Sequence, residues 1–323
     1  MTGVPGAAPR NLCAGPRILC AGPRILCAGM AVLDEVFRVE RFPAANAKTQ
    51  ASAFMSMVGG CAANAAVAIS RLGGRAELVA ALGAPSGDAI GDRILAGLAD
   101  EGVASRVVRV AGATSAVSSV VVDAAGERMI ATRCDEKLFA ATADDPPAVV
   151  ADVDAVLVDN WLPDLIVPIC IAARRRGLPV VVDGDGPMPE ASELVKLATH
   201  LVFSAEALRA TTGLDDPGAA LMRIGAHTPN FLAVTDGAND ILWRDGDALC
   251  RMAVFAVRVE DTLAAGDVFH GAFVLALAEG MREIAALRFA AASAALKCTR
   301  WGGGAGAPRR QEVEALLATA GPL

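Results

Sequence analysis

The chain has 323 residues, of which 54% are hydrophobic and 20% are charged, and its formal net charge is −7. This composition is typical of one large globular domain with a sizeable core, and the negative charge argues against a nucleic-acid partner, which would need a clustered basic face. No apolar stretch is long enough to cross a membrane without Gly, Pro or a charged residue. The eight cysteines form no Cys-x-x-Cys pair, so we expect reduced thiols in a cytoplasmic protein rather than a zinc site.

The chain begins with a repeat of the type Pro-Arg-Ile-Leu-Cys-Ala-Gly. Its Leu-Cys-Ala-Gly part starts at Leu12, Leu19 and Leu26. Prolines within the repeat would break a helix, and only the last copy continues into an apolar segment, Met30–Asp34, which predicts the first strand. We therefore expect residues 1–23 to be a disordered extension and residues 24–320 to form the folded domain.

Strands and helices then alternate along the chain. Loosely alternating apolar residues in 35–57 predict short strands, and residues 115–133 predict a hairpin. Further strands are predicted at 78–82, 155–158, 179–182, 201–203 and 231–234, and helices at 60–72, 86–100, 163–176, 191–198, 205–212, 221–226 and 268–278. This alternation implies parallel βαβ units, and hence an α/β fold with a central, mostly parallel sheet covered by helices.

Four aspartates follow predicted apolar strands: Asp34, Asp159, Asp183 and Asp236. Ligands bind at the carboxyl ends of the strands in such sheets. The sequence therefore predicts a cleft rich in carboxylates at this edge of the sheet.

The segment from Val259 to Phe273 carries the clearest chemical signal. Small residues at Ala264, Ala265 and Gly266 allow a tight turn, and an apolar helix follows at once. The unpaired N–H groups at such a helix start bind anions. Asp267 stands at the mouth of this predicted anion hole, where it either caps the helix or removes a proton as charge develops nearby. The residues alone leave both readings open.

Two segments resemble signatures of the ribokinase/PfkB carbohydrate kinase family. Asp-Thr-Leu-Ala-Ala-Gly-Asp, at 261–267, resembles the C-terminal signature, and residues 59–73 resemble the second one. The resemblance extends from about residue 24 to residue 308, and two ordered signatures are far more specific than a lone glycine motif. It implies a ribokinase-like fold in which strands from about 35–57 and 113–133 form a small β-sheet lid over the sugar.

The resemblance implies an ATP-dependent kinase that transfers the γ-phosphoryl group to a hydroxyl, expected to be primary, of a sugar or sugar derivative. Asp267 would be the general base, and Ala264, Ala265 and Gly266 would form the anion hole with it. The chain contains no Walker A loop, so the phosphates are expected at this helix end. The resemblance also implies Mg²⁺, a monovalent cation such as K⁺, and a homodimer formed through the lid.

Substrate contacts are assigned by motif position. Asp34 matches the family's sugar anchor, although an Asp after a strand is commonly a turn residue. Asn64 is expected to bind sugar hydroxyls, and Gly59 and Gly60 to permit close approach of the sugar. Lys48, in the presumed lid strand, is either solvated or contacts an anionic end of the substrate.

For the nucleotide, Thr235 and Gly237 match the positions that bind phosphate and ribose in the family. Ser204 is assigned to the same side. Lys297 and Cys298 fall near the adenine wall, with plain helix packing as the alternative. His270, one helical turn past Asp267, is expected either to support the site residues or to be structural, because a lone His is weak evidence for a direct role.

Several acidic residues are candidate metal ligands. Asp261 matches the position at which family members hold a monovalent cation together with backbone carbonyls. The family's Asn-x-x-Glu motif, linked to magnesium, is missing, and the stretch in its place reads Ser-Ala-Glu-Ala from Ser204. Either Glu206 substitutes from a shifted position, or Asp183 and Asp185 hold Mg²⁺ through water.

The sugar itself stays open. Residues 182–185, 267–272 and 295–300 resemble the ketohexokinase and sulfofructose kinase branch, which acts on ketoses or their derivatives. An anionic substrate would need basic groups such as Lys48 and Arg133, whereas Trp161 could stack on a neutral ring. The alternatives are a nucleoside kinase, which would need aromatic lid residues to stack a base, and a non-catalytic sugar sensor, which would need neither Asp267 nor the anion hole.

Overall fold

The computed structural model describes residues 22–321, so all but the last two residues of the predicted N-terminal extension lie outside the described part. Those two, Gly22 and Pro23, contact Arg75. The Gly22 carbonyl accepts a hydrogen bond from Arg75 Nε at 2.9 Å, and the Pro23 carbonyl accepts one from the Arg75 backbone N–H at 2.8 Å. Two hydrogen bonds to Arg75 therefore hold the first described residues in place.

The described chain contains strands, helices and two short 3₁₀ helices. In chain order, the strands are β1 Arg24–Ala28, β2 Val32–Arg38, β3 Ala53–Gly59, β4 Arg75–Gly83, β5 Ala104–Val110, β6 Ala116–Val122, β7 Arg128–Arg133, β8 Ala155–Val158, β9 Val180–Gly184, β10 His200–Ser204, β11 Phe231–Thr235, β12 Ile241–Asp245 and β13 Ala248–Met252. The helices are α1 Cys61–Arg71, α2 Ala89–Asp100, α3 Pro146–Val149, α4 Pro163–Arg175, α5 Glu193–Leu197, α6 Ala205–Thr212, α7 Pro217–Gly225, α8 Ala265–Ala278, α9 Glu283–Cys298 and α10 Arg310–Thr319, and the 3₁₀ helices are Glu136–Ala140 and Gly304–Gly306.

A nine-stranded sheet forms the centre of the molecule, in the order β13-β12-β11-β10-β9-β8-β1-β4-β5. All of its pairs are parallel except those on either side of β12. The predicted α/β fold with a mostly parallel sheet is thus confirmed. The sequence reading missed β5 and the β12–β13 hairpin. The strand order changes direction beside β1, which pairs with both β4 and β8, and such a point leaves a crevice at the carboxyl ends of the strands.

Helices cover both faces of this sheet. On one face α1, α8 and α9 pack through side chains such as Ile69, Phe273 and Leu287, and on the other face α4 to α7 pack through side chains such as Ile166 and Leu208. Burial on both faces explains why strands such as Val180–Gly184 are apolar at successive positions instead of alternating.

A second, four-stranded sheet has the order β3-β2-β6-β7. It uses the two regions in which lid strands were predicted. The single first strand expected up to Asp34 proves to be two strands in different sheets, because the chain turns at Gly29, where φ is +149°, and leaves the central sheet. Asp34 therefore lies inside a lid strand rather than at the carboxyl end of a central one. Lys48 also needs correction, since β2 ends at Arg38 and Lys48 lies exposed in the loop before β3.

No helix within residues 22–321 is both long enough and apolar enough to span a membrane.

Candidate functional site

A cavity of about 1000 Å³ lies between the small sheet and the carboxyl edge of the central sheet. The small sheet faces it with side chains from three of its strands, namely Val32, Asp34, Ser118, Val120, Arg128, Ile130 and Thr132. Residues 264–267 form part of the wall, as do Ser204, Glu206, Thr235 and Gly237. The fold thus brings together most of the residues predicted for the site, although they come from distant parts of the sequence.

Helix α8 begins at this cavity. Ala264 is its N-cap, in the left-handed conformation with φ +61°, and it supplies no side-chain cap. The N–H of Ala265 donates to the Thr262 carbonyl at 3.2 Å, whereas the following N–H groups of the first turn have no acceptor within the helix. Gly266 is exposed, and a side chain there would meet no protein atom within 4 Å. This helix end can therefore receive an anion directly on its backbone.

Asp267 does not cap the helix. Its Oδ2 instead accepts a hydrogen bond from Asn64 Nδ2 at 2.7 Å. Burial, and after it the negative charges of Asp183 and Asp185, raise the pKa of Asp267 well above its ordinary value, while the bond from Asn64 opposes the shift. A carboxylate with a raised pKa is a stronger base near neutral pH. The geometry and the electrostatics both suit proton removal.

Asn64 links Asp267 to the C-terminal part of the chain. Its Nδ2 donates to Asp267, and its Oδ1 accepts from the backbone N–H of Gly304 at 3.1 Å. Both polar atoms of Asn64 therefore already have protein partners. The residue lines the cavity, but its bonding makes it first of all a group that orients Asp267.

Asp34 faces the cavity from the middle of β2 and is only 6% exposed. Burial raises its pKa to about 6, although a hydrogen bond with Ser118 lowers it. Ser118 and Thr132 form a hydroxyl pair, 2.8 Å apart, on the neighbouring strands. A buried carboxylate next to two hydroxyls forms a surface suited to binding the hydroxyl groups of a ligand.

The predicted glycine pair lies close to other protein groups. A Cβ at Gly59 would overlap the Asp34 carboxylate, and one at Gly60, where φ is +91°, would overlap the Met30 backbone. Only Gly60 lines the cavity. The two glycines therefore make room for neighbouring protein groups, and Gly59 leaves the space that the Asp34 carboxylate occupies.

The opposite end of the cavity holds the residues assigned to the nucleotide. Ser204 caps α6 by accepting a hydrogen bond from the Ala207 N–H at 3.1 Å, and Glu206 is exposed in the first turn of that helix. Thr235 ends β11, and Gly237 follows it with φ +55°. An apolar wall lies beside them, and it includes Cys298, which the sequence placed there, together with Val254, Phe255, Val257, Ala291 and Ala294, which sequence reasoning missed. Val254, Phe255 and Val257 lie in the loop between β13 and α8, where the sequence has no periodic pattern that would predict such a wall.

Lys297 does not reach the cavity. It is fully buried, and its Nζ donates to the Asp261 carbonyl at 2.9 Å and to Asp261 Oδ2 at 3.0 Å. The structure thus offers Lys297 no contact with a nucleotide, and the alternative of helix packing describes it better. Asp261, expected at a monovalent-cation site, is already bound to the ammonium group of this lysine.

Within residues 22–321, three side chains lie close enough together to share a metal ion: Cys61, Asp183 and Asp267, whose ligand atoms are all within 4.8 Å of one another. Neither Asp261 nor Glu206 belongs to this group. A thiol is a poor ligand for Mg²⁺, which prefers oxygen and usually keeps several waters. The exposed Asp185, which accepts a weak hydrogen bond from Cys61 Sγ at 3.6 Å, adds a further carboxylate to the cavity wall.

Basic side chains are scarce around the cavity. Among the described lining residues only Arg128 is basic, and its Nη1 donates to Thr262 Oγ1 at 2.7 Å. Lys48 and Arg133 lie outside the wall, and Arg133 bonds Thr114 at 2.6 Å. Trp161, which is 41% exposed, does line the cavity. The charge of the described wall therefore suits a neutral ligand better than an anionic one at the Asp34 end.

Comparison with known proteins agrees with this architecture. The family profile described as pfkB family carbohydrate kinase matches residues 23–310. Ribokinase of Bacillus subtilis is 29% identical over 288 residues, which cover 88% of this chain and 96% of the relative. Fructokinase-1 of Zea mays is 28% identical over 296 residues, covering 83% and 90% of the two chains.

Solved structures share the fold over almost the whole chain. A candidate ribokinase from Agrobacterium tumefaciens superposes with a TM-score of 0.88 at 39% identity, covering 93% of this chain and 98% of its own. Ribokinase of Arabidopsis thaliana, solved with ribose and ATP, gives a TM-score of 0.77 at 26% identity, with 91% and 98% covered. The ribokinase-like fold, with its large central sheet and smaller separate sheet, is thereby confirmed.

Proposed function

The chain belongs to the pfkB family of carbohydrate kinases, and from this premise we propose that it transfers the γ-phosphoryl group of ATP to a primary hydroxyl group of a neutral sugar. Enzymes of this kind are phosphotransferases with an alcohol group as acceptor. One observation carries the proposal: the Asp267 carboxylate is held by Asn64 at 2.7 Å beside an uncapped helix start, inside a cavity that also contains Asp34.

Asp267 would remove the proton from the attacking hydroxyl. Its raised pKa suits this step, because a carboxylate whose pKa lies nearer to neutrality accepts a proton more readily. The backbone N–H groups of Gly266 and its neighbours would stabilise charge on the transferring phosphoryl group. Asn64 would keep the carboxylate oriented, so that both substrates meet in a reactive geometry.

ATP would lie at the end of the cavity that contains Ser204, Thr235 and Gly237, with the apolar wall available for the flat adenine ring. The Arabidopsis ribokinase was solved with ATP and ribose, which supports this choice of cosubstrate. Mg²⁺ would neutralise the triphosphate charge. Asp185 and Glu206, the exposed carboxylates in the wall, suit it as water-mediated ligands.

The sugar would lie under the small sheet, against Asp34. The described wall has one basic residue, Arg128, which is bound to Thr262, and the sugar would lie beside the acidic Asp34. The Asp34 carboxylate would repel a sulfonate or a phosphate group, and no free basic side chain of the described wall would offset it. Of the ketose derivatives, we therefore favour the neutral ones as substrates. Relatives named ribokinase and fructokinase support a pentose or a ketohexose.

Two alternatives remain distinguishable. The lid phenylalanines Phe37 and Phe54 contact each other, with ring centroids 5.0 Å apart, and neither lines the cavity, so the stacking wall that a nucleoside kinase needs is not provided by them. A sensor would not need the bond between Asn64 and Asp267. The homodimer through the lid stays a prediction.

The proposal is tested by measuring sugar-dependent ADP formation, and sugar binding by thermal shift, across neutral pentoses and hexoses, phosphorylated or sulfonated sugars, and nucleosides. We expect turnover with a neutral sugar and at most a trace with the anionic ones. Turnover with nucleosides alone would favour the nucleoside kinase. Binding of a sugar without any ADP formation would favour the sensor and contradict the proposal.

A further inference from the structure

Lys297 is the largest charged side chain in the described core. It is 0% exposed, a degree of burial that lysine almost never shows unless it is paired. Its partner Asp261 is 1% exposed. The two belong to different segments, because Lys297 lies at the end of α9 and Asp261 lies just before the turn that leads into α8.

Every oxygen of Asp261 that could hold a cation is already in use. Oδ1 accepts from the Leu263 N–H at 2.8 Å, and Oδ2 accepts from the Gly302 N–H and from Lys297 Nζ, both at 3.0 Å. The backbone carbonyl of Asp261 also accepts from Lys297 Nζ, at 2.9 Å. A K⁺ ion bound to this carboxylate and carbonyl would meet the ammonium group in the same place. The monovalent-cation site implied by the sequence resemblance therefore does not fit these residues.

The ammonium group lies where it can fix the anion hole. The N–H groups of Glu260 and Asp261 donate to the Cys298 carbonyl at 2.8 and 3.2 Å, so backbone bonds join the same two segments that the lysine joins. Three residues after Asp261 comes Ala264, whose left-handed conformation is costly for a residue other than glycine. Such a conformation persists only where its surroundings enforce it.

Burial lowers the pKa of Lys297, and the nearby Asp261 charge raises it. Losing the lysine while keeping the aspartate would leave a buried carboxylate without a cation, which is a strongly destabilising arrangement. Lys297 and Asp261 thus depend on each other. Because the positive charge belongs to a side chain of the protein, it cannot dissociate as a bound ion can.

We propose that the Lys297 ammonium group is a built-in cation, which holds the Asp261–Ala264 turn and hence the anion hole in place, so that the enzyme works without a monovalent metal ion. Lys297 is in this account a positioning residue and touches no substrate. The inference rests on the proposed kinase function. Its structural part, that a lysine takes the place of an ion, can be tested by melting temperature without a kinase assay.

The first test uses the unmodified protein. Kinase activity and melting temperature are measured in KCl, in NaCl and in tetramethylammonium chloride at equal ionic strength. We expect both quantities to be the same in the three salts. An activation by K⁺ of severalfold, or a melting temperature that rises specifically with K⁺, would overturn the inference, and this result decides the matter even if variants do not fold.

The second test uses Lys297→Ala, which removes the ammonium group and leaves space for an ion. In tetramethylammonium chloride its kcat should fall by roughly 10²-fold through displacement of the anion hole, with a lowered melting temperature. K⁺ or NH₄⁺ should restore both in part. Lys196→Ala, at an exposed lysine in α5, is the matched control and should show no salt effect.

A Lys297→Ala protein that folds and remains fully active without K⁺ would contradict the inference, as would one whose losses no cation reverses. If the unmodified protein phosphorylates no sugar, the proposed function fails. The salt dependence of the melting temperatures of the unmodified protein and of Lys297→Ala still decides whether the lysine replaces an ion. The two failures are therefore separable.

Discussion

Replacing Asp34 with asparagine should make the protein more stable near neutral pH and less active at the same time. Burial raises the pKa of Asp34 from its ordinary value of 3.8 to about 6, and each pKa unit corresponds to about 1.4 kcal/mol. Ionising Asp34 in the folded protein therefore costs about 3 kcal/mol of folding free energy, an upper value because solvent reaches the cavity. Asparagine keeps the shape and carries no charge.

The effect of Asp34 on stability depends on pH. A carboxyl group with a raised pKa in the folded state contributes stability below the pKa of the unfolded state, and this contribution is lost as the pH rises through about 6. The difference in unfolding free energy between Asp34→Asn and the unmodified protein should therefore grow from pH 4 upward and reach at most about 3 kcal/mol by pH 8. Its kcat/KM for the sugar should fall by roughly 10²-fold, because charge-assisted bonds to hydroxyls are lost.

Urea unfolding at a series of pH values measures the first effect, and steady-state kinetics with each substrate varied measures the second. Asp247→Asn, at an exposed aspartate, is the control and should change neither. A stability difference between Asp34→Asn and the unmodified protein that does not vary with pH would refute the argument from burial. An unchanged kcat/KM for the sugar would remove Asp34 from the sugar site.

Three further substitutions or deletions have definite expected outcomes. Asn64→Ala removes the bond to Asp267 and should lower kcat by roughly 10-fold or more with little change in KM for ATP; a loss confined to KM for the sugar would make Asn64 a sugar ligand instead. Gly59→Ala should raise KM for the sugar by roughly 10-fold, because the added methyl group overlaps the Asp34 carboxylate, and an unchanged KM would show that the carboxylate can move aside. Deleting residues 2–21 should leave melting temperature and kcat unchanged, because only the last copy of the repeat continues into a strand, whereas a clear drop in melting temperature would show that the extension packs on the domain.

Local patterns in the sequence carried the predictions that the structure matches. The small residues before an apolar helix placed the start of α8 at Val268, three residues after its position at Ala265 in the structure. The apolar segments of the chain predicted the first and last residues of β8 and α6 correctly. These features depend on neighbours a few positions apart, so a single sequence contains them.

Features that depend on distant contacts could not be read in this way. The division of the first strand at Gly29 is a choice between two sheets, and the apolar residues on both sides of Gly29 suit a strand in either one. The bond between Asn64 and Asp267 joins residues 203 positions apart. Lys297 ends a helix rich in alanine and buried on most sides, and nothing in its local sequence distinguishes a lysine that points to solvent from one that enters the core to meet Asp261.

The central claim, that Asp267 is the base of a sugar kinase, is tested most directly by Asp267→Asn. Turnover is measured with saturating ATP and the best neutral sugar, while binding of each substrate and the melting temperature are measured separately. We expect kcat to fall by at least roughly 10²-fold, with binding of both substrates and the fold retained. Near-normal turnover by the variant would contradict the account.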